Sequence, residues 1–371
     1  MKQFKQLMYV VGIVVVVLIV FYGVNLYGKR GLQKQLEAGK SAYNSGDMQG
    51  AISIFEAVYS KAAKSSVGKE TAYYLGKSYL NIGDLEKSET YWNAVSGDKL
   101  YAEESLFNVA DIQKDTNRIE EAVTKFEKLI KDYPKSELID DAMLKLAVIH
   151  RQKNELGDAQ KELSAIIEAH PESNLIGTVE QEMGNINLAL LFSPQITEGS
   201  QEYVVKSGDS LYTIAQKSGT TIELIKKCNG LKSDMLKPND KLKVITDKFS
   251  VVVDKSKNIL TLKAGERVVK TYSVGTGVSG CTPAGTYKIT NKLVNPPWHK
   301  PGAGVVPFGD KQNVLGTRWM GFNNPGYGIH GTWEPESIGQ QSSAGCVRMK
   351  NEDVEELFEI VPSGTEVEIV E

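Results

Sequence analysis

The hydrophobic rhythm of the chain changes three times. Residues Leu7 to Tyr27 are almost wholly apolar and carry no charge. At a helical rise of about 1.5 Å per residue they reach about 30 Å, so the pattern predicts a transmembrane helix over 7–27. The Val/Ile run would suit a strand in water, but in lipid a helix satisfies its own backbone. A cleaved signal peptide is the competing reading; no small-x-small site follows, and Tyr27-Gly28-Lys29-Arg30 reads as a stop. Lysines flank the segment on both sides, so charge does not orient it.

From 29 to 192 the apolar positions recur at helical spacing. Four segments share a short turn followed by an amphipathic run: NSGDMQGAISIFEAVY, NIGDLEKSETYWNAV, DTNRIEEAVTKFEKLI and NELGDAQKELSAII. Small residues Ala51, Ser88, Ala122 and Ala159 align at intervals of 37, 34 and 37, where they let two helices approach closely. Ile119, Val123, Phe126 and Ile130 mark one helical face. Tyr133-Pro134 and His170-Pro171 end the second helix of a pair, and Leu175 to Phe192 reads as a capping helix. The segment Ser193 to Ser200 is a polar linker.

Residues Tyr203 to Ile245 read β-α-α-β. Tyr203-Val204-Val205 is a short strand, Asp209 is placed to cap a helix with Leu211, Ile214 and Ala215, and Gly219 ends it. Thr220 and Glu223 are spaced as a capping box for a second helix, and Leu242-Lys243-Val244 is the closing strand. From Phe249 the period becomes two. Ser250–Val253, Ile259–Leu262, Val268–Val274 and Tyr287–Ile289 read as strands. The Pro/Gly/Trp-rich stretch Asn295 to Asp310 is expected to be irregular. Asn351 is placed to cap a short helix with Val354, Leu357 and Phe358 inward, before a last strand with Val367 and Ile369.

The four-unit pattern resembles the tetratricopeptide repeat, whose helical hairpins stack into a solenoid. Such an arm is either a plain spacer or a groove for a protein partner. The β-α-α-β stretch resembles the LysM module over its full length. That resemblance implies binding of N-acetylglucosamine-containing glycan through the loop at Gly208, Asp209, Ser210 and Leu211 and the one around Asn229 and Leu231. A structural role competes at each position, since Asp209 is first a cap and Leu211 first a core residue. Cys228, on the second helix, reads as a small packing residue.

A length of 371 residues exceeds one common core, so two to four domains are expected. A formal net charge of −3 excludes a strongly basic nucleic-acid binder. The three cysteines and four histidines are too scattered for a zinc cluster, and the odd cysteine count argues against a disulfide framework. Gly275, Gly277 and Gly280 match G-x-G-x-x-G, but Pro283 and Gly285 follow where a helix should begin, so a dinucleotide site is not expected.

The chemistry concentrates near the C-terminus. Cys346 lies in SSAGCVRM, sixteen residues after His330 in GIHGTW. A free thiol is mostly protonated at neutral pH, and a nearby imidazole can take its proton and return it to a leaving amine. The imidazole needs an acceptor on its second nitrogen: Glu334 and Glu336 lie in the intervening loop, and the Gly331 carbonyl is an alternative. Gly345 would leave its own amide and that of Cys346 open to an oxyanion. If Cys346 to Met349 is a strand, Cys346 and Arg348 share one face, while Val347 and Met349 fill the core. Arg348 would then lower the thiol pKa or hold a substrate carboxylate. Trp298 either lines a substrate channel or packs its loop. Cys281 is an alternative nucleophile without a nearby His in sequence, and both thiols are expected to be reduced.

GIHGT, SAGCVRM, TPAGTYKI, NPPW and LGTRWMGF occur in the order of the L,D-transpeptidase catalytic domain, and residues 249–371 resemble it. The resemblance implies Cys346 as acylated nucleophile, His330 as general base, the Gly331 carbonyl as its orienting group, and Ser343, Gly345 and Arg348 as shaping the pocket. It implies attack on the diaminopimelate carbonyl of a peptidoglycan stem peptide, release of D-alanine, and a cross-link to a second stem; water as acceptor would give an L,D-carboxypeptidase. No metal or cofactor is implied. Ala344 departs from the second His that many members carry there. The expected architecture is thus multidomain: a transmembrane helix (7–27), an α-solenoid of helical hairpins (29–192), a small LysM module (201–246) and a mostly-β catalytic domain (249–371). The expected partners are peptidoglycan glycan and stem peptides, a membrane, and a protein on the repeats, with no nucleic acid. The substrate puts the catalytic domain in the cell envelope. A non-catalytic wall-binding scaffold is the rival reading.

Overall fold

The computed structural model describes residues 28–300, 302 and 304–371. The expected span at 7–27 lies outside them. Among the described residues no helix is long and apolar enough to cross a membrane. The expected architecture is corrected accordingly: its transmembrane helix is withdrawn, and helical repeats, a LysM module and a mostly-β domain remain.

The chain divides into two compact units, 1–149 and 150–371. The first is built of helices α1 (28–44), α2 (Met48–Ala62), α3 (Ser66–Asn81), α4 (Leu85–Val95), α5 (Ala102–Asp115), α6 (Ile119–Asp132) and most of α7 (Ile139–Gln152). Each hairpin turns through a residue in the left-handed region, Gly46, Gly83 or Asn117, where glycine and asparagine pay least. The aligned small residues Ala51, Ser88 and Ala122 are fully buried, and Ser88 Oγ donates to the Gly76 carbonyl at 2.8 Å. Gly76 makes room for Trp92, whose ring lies 2.9 Å from where a Cβ would stand. Asp47 and Asp84 cap α2 and α4 through the amides of Gly50 and Lys87.

The second unit opens with α8 (Leu156–Ala169) and α9 (Ile176–Phe192). Ala159 is fully buried, matching its three counterparts. Helix α9 forms where the capping helix was expected, but its Leu188 and Leu191 enter the core of the β domain. Asn187 Nδ2 donates to the Val268 and Val269 carbonyls at 3.2 and 3.3 Å, supplying partners to an edge strand.

The small module comprises β1 (Ser200–Val204), α10 (Leu211–Ser218), α11 (Ile222–Cys228) and β2 (Lys241–Ile245), with β1 antiparallel to β2. Its caps sit one residue from the expected positions. Ser210 forms a capping box with Thr213, and Asp209 instead accepts from Tyr203 Oη and the Lys206 amide. Thr221, not Thr220, caps α11 by accepting from the Leu224 amide. Cys228 is buried, and burial pushes its thiol up to about 11. The module packs onto the β domain: Leu224 and Ile245 join its core, and Thr221 Oγ1 donates to the Glu359 carbonyl. Lys243 is almost fully buried, and its ammonium donates to the carbonyls of Leu190 and Ser193 at the end of α9, at 2.8 and 3.0 Å.

The β domain contains β3 (Phe249–Asp254), β4 (Ile259–Ala264), β5 (Arg267–Ser273), β6 (Thr276–Gly277), β7 (Gly285–Val294), β8 (Trp298–Lys300), β9 (Gly304–Val306), β10 (Arg318–Phe322), β11 (Gly328–His330), β12 (Gln341–Ser343), β13 (Val347–Arg348), α12 (Asn351–Ile360) and β14 (Glu366–Val370). Eight strands form one sheet in the order β13-β11-β10-β7-β14-β3-β4-β5. Alternation puts Val251, Val253, Leu260, Leu262, Val367 and Ile369 on its buried face, against Val354, Leu357 and Ile360 of α12. Phe358 is only partly buried at its edge. The stretch expected to be irregular contains the hairpin β8–β9, made possible by left-handed Gly302 and Gly304.

Replacing Lys243 by Met is expected to leave the Leu190 and Ser193 carbonyls unpartnered and to destabilise the chain by about 1–3 kcal/mol. Urea unfolding of the full chain checks this; an unchanged midpoint would contradict the assigned role.

Candidate active site

Strand pairing sets His330 beside the segment that carries Cys346. β11 runs parallel to β13, with Ile329 opposite Val347 and His330 opposite Arg348. Ile329 and Val347 are fully buried in the core, so His330 and Arg348 occupy the other face. Cys346 immediately precedes β13, and Met349 is buried with Val347. Arg348 is further fixed through its backbone, which exchanges two hydrogen bonds of 2.8 Å with Gly275.

His330 is 3% exposed. Its Nδ1 lies 2.6 Å from the Gly331 carbonyl. A carbonyl can only accept, so Nδ1 carries the proton and Nε2 is left with its lone pair. Neither Glu334 nor Glu336 fills this position; Glu334 pairs with Arg348 at 3.1 Å instead. Burial pulls the imidazole down to about 4, against the Gly331 carbonyl, which favours the charged ring, and with some help from Arg348. At neutral pH His330 is therefore an uncharged base.

Cys346 is partly exposed and its Sγ lies 3.5 Å from the Gly326 carbonyl. Burial pushes its thiol up, and the Gly328 amide followed by Arg348 only partly offsets this. The resting pair is thus thiol and neutral imidazole rather than thiolate and imidazolium.

The turn holding Cys346 is built by Ser343 and Gly345. Ser343 Oγ donates to the Cys346 carbonyl at 2.7 Å and accepts from the Gly345 amide at 3.0 Å. The expectation that the Gly345 amide stays open for an oxyanion is therefore corrected: Ser343 occupies it. Gly345 is needed for its φ of +123° and because a Cβ would stand 2.7 Å from the Tyr327 ring. The turn rests on β6, whose Gly277 pairs with Ser343 of β12. A Cβ on Gly277 would stand 2.6 Å from Cys281 Sγ. Gly277 of the G-x-G-x-x-G match thus makes close packing for the cysteine turn. Cys281 is exposed and free, with its Sγ 3.8 Å from the Ser343 carbonyl.

Two aromatic residues escaped notice in the sequence. Trp319, opposite His330 across β10 and β11, stacks on the imidazole with centroids 5.9 Å apart. Trp333 is 52% exposed and pairs with Phe308. Both stand among several tryptophans, and only the register and the loop path single them out. Trp298 lies on the β8–β9 hairpin beneath Lys300, in a separate small sheet from His330.

The glycan-loop candidates are largely committed internally. Leu211 is core, Ser210 caps α10, and Asp209 is tied to Tyr203 and Lys217. Asn229 spends its side chain on Ile225 and on both backbone groups of Lys243. Gly208 remains an exposed turn residue with φ of +90°.

Comparison with known proteins follows the same division. The model of the L,D-transpeptidase catalytic domain (YkuD) matches residues 248–369, that of the LysM domain 203–244, and that of a tetratricopeptide repeat 104–136 and 141–173. YqjB of Bacillus subtilis (strain 168), classed by name with the L,D-transpeptidases, is 40% identical over 127 residues, 33% of this chain and 70% of that protein. YkuD of the same organism, classed likewise, is 34% identical over 174 residues, 45% of this chain and 97% of that protein. The chain belongs to the L,D-transpeptidase family. Among solved structures, an L,D-transpeptidase from Mycobacterium smegmatis is similar with a TM-score of 0.30 and 17% identity, over 36% of this chain and 64% of that one. This L,D-transpeptidase is therefore an enzyme, with LysM and tetratricopeptide segments joined to its catalytic domain.

In a Cys281→Ser background, alkylation of Cys346 by iodoacetamide is expected to accelerate with pH, with a midpoint above that of a free cysteine. A rate plateau below pH 7 would mean a resting thiolate. Gly345→Ala is expected to lower kcat/KM by roughly tenfold or more, because the new Cβ must displace Tyr327 or the turn. Wild-type turnover in that variant would show the turn to be pliable.

Proposed function

We propose that the enzyme cross-links peptidoglycan stem peptides by cysteine acyl transfer. One observation carries this reading: the Gly331 carbonyl takes up His330 Nδ1, which leaves Nε2 with its lone pair on an uncharged ring. Cys346 Sγ attacks the carbonyl carbon of the diaminopimelate residue while its proton passes to His330 Nε2. The C–N bond to the terminal D-alanine breaks, the imidazolium returns the proton to the departing amine, and a thioester remains. The side-chain amine of a second stem attacks that thioester, forms the amide and releases the thiol. With the Gly345 amide engaged by Ser343, the oxyanion falls to the Cys346 amide. Arg348, held by Glu334, supplies positive charge on the same face for a substrate carboxylate.

The supporting domains fit a wall substrate. We assign 201–246 to glycan retention, with contacts at Gly208 and the neighbouring backbone rather than at the Leu211 and Asn229 side chains. Residues 29–192 serve as an arm that a protein partner can occupy, and 249–371 carry the chemistry. The substrate sets the compartment, the cell envelope outside the cytoplasm.

Incubation with disaccharide-tetrapeptide followed by mass spectrometry tests the reaction. The expected product is a cross-linked dimer with loss of D-alanine. Tripeptide alone would make the enzyme a carboxypeptidase, and unchanged substrate would remove the proposed reaction. Cys346→Ala is expected to lose roughly 10³-fold or more of turnover, and His330→Ala roughly 10²–10⁴-fold. Cys281→Ala is expected to retain it; the reverse pattern would move the nucleophile to Cys281.

A further inference from the structure

Asn351 stands where a helix cap was expected, yet it does not cap α12. It is the first residue of that helix, and no side-chain cap hydrogen bond forms at Lys350 before it. Its amide is used elsewhere. Nδ2 donates to the Thr332 carbonyl at 2.9 Å, and Oδ1 accepts from the Thr317 amide at 3.1 Å. Both partners flank the turn that follows His330. The same Oδ1 fills the space that side chains on Gly316 and Gly331 would need, so these two glycines close around it. Gly331 is also held through its amide, which donates to the Arg318 carbonyl at 3.1 Å. Met349, two residues before Asn351, donates its amide to the His330 carbonyl at 2.8 Å.

These bonds surround one peptide group. The Gly331 carbonyl has to point back at its neighbour's Nδ1, which an extended strand would not allow. Its orientation depends on where the Gly331–Thr332 segment turns, and Asn351 grips that segment from below. We propose that Asn351 is a positioning residue for the L,D-transpeptidase reaction, holding the Gly331–Thr332 turn so that its carbonyl keeps the proton of His330 on Nδ1. The inference rests on His330 being the general base, and it adds a residue that touches neither substrate nor imidazole. Leaving the helix uncapped is unfavourable, which fits a side chain diverted to another task.

The test uses the full chain, with histidine labelled at both ring nitrogens and observed by NMR near neutral pH. Wild type is expected to show His330 protonated at Nδ1. Asn351→Asp is nearly isosteric; it keeps the Thr317 contact but sets a carboxylate oxygen against the Thr332 carbonyl. Asn351→Ala removes both bonds. Both variants are expected to populate the Nε2-protonated ring and to lose roughly tenfold or more in kcat with KM within about twofold, as removal of an orienting group does. If Asn351→Ala fails to fold, Asn351→Asp carries the test alone. A wild-type tautomer and kcat in Asn351→Asp would overturn the inference and leave the general-base assignment standing. A wild-type ring protonated at Nε2 would overturn both.

Discussion

The active site depends on the parallel pairing of two very short strands. β11 contributes three residues and β13 two. Their alignment puts His330 beside Arg348 and sends Ile329 and Val347 into the core. A slip of one residue would bury Arg348 and expose Val347, which the apolar core resists strongly. The core therefore holds the register, and the register sets the imidazole beside Arg348, two residues from the cysteine. The remaining pieces, the Ser343 bridge, the Gly331 acceptor and the Trp319 ring, refine an arrangement that burial has already imposed.

Electrostatics then divides the labour between the two reacting groups. The same burial that fixes the register raises the thiol and lowers the imidazole, so each is held in its uncharged form. An uncharged pair costs less to bury than an ion pair. In the proposed reaction it would also leave the proton on sulfur until a substrate carbonyl arrives to take up the negative charge. Arg348, already committed to Glu334, adds to the effect of burial on the imidazole and opposes it on the thiol, where burial prevails.

The parts legible in the sequence are those with a period. The interval between Ala51, Ser88, Ala122 and Ala159 announced the hairpins because a small residue is required wherever two helices touch, and all four are fully buried. Alternation over five to seven residues revealed β3, β4, β5 and β14. The strands that build the site are too short to show a period, so β6, β8, β9, β11 and β12 were invisible as strands, although the HG and GC pairs marked the chemistry itself. Caps were misplaced by one residue at Asp209 and Thr220 because neighbouring Asp, Ser and Thr compete for the same amides. The fate of the Gly345 amide and of the Asn351 side chain was beyond reach, since each is decided by a partner distant in space or by a local turn that sequence does not specify. The transmembrane expectation rested on composition alone and finds no helix among the described residues to carry it.

Lys243 adds a polar tie between the small module and the end of α9. Its ammonium ends in the last carbonyls of α9, while its own backbone is clasped by Asn229. Burial lowers its pKa, as expected for an amine with little water around it. The LysM module is thereby tied to the end of α9, in addition to the contacts that Leu224, Ile245 and Thr221 make with the β domain. A tug on that module would be transmitted to the sheet as shear rather than absorbed by a swivel.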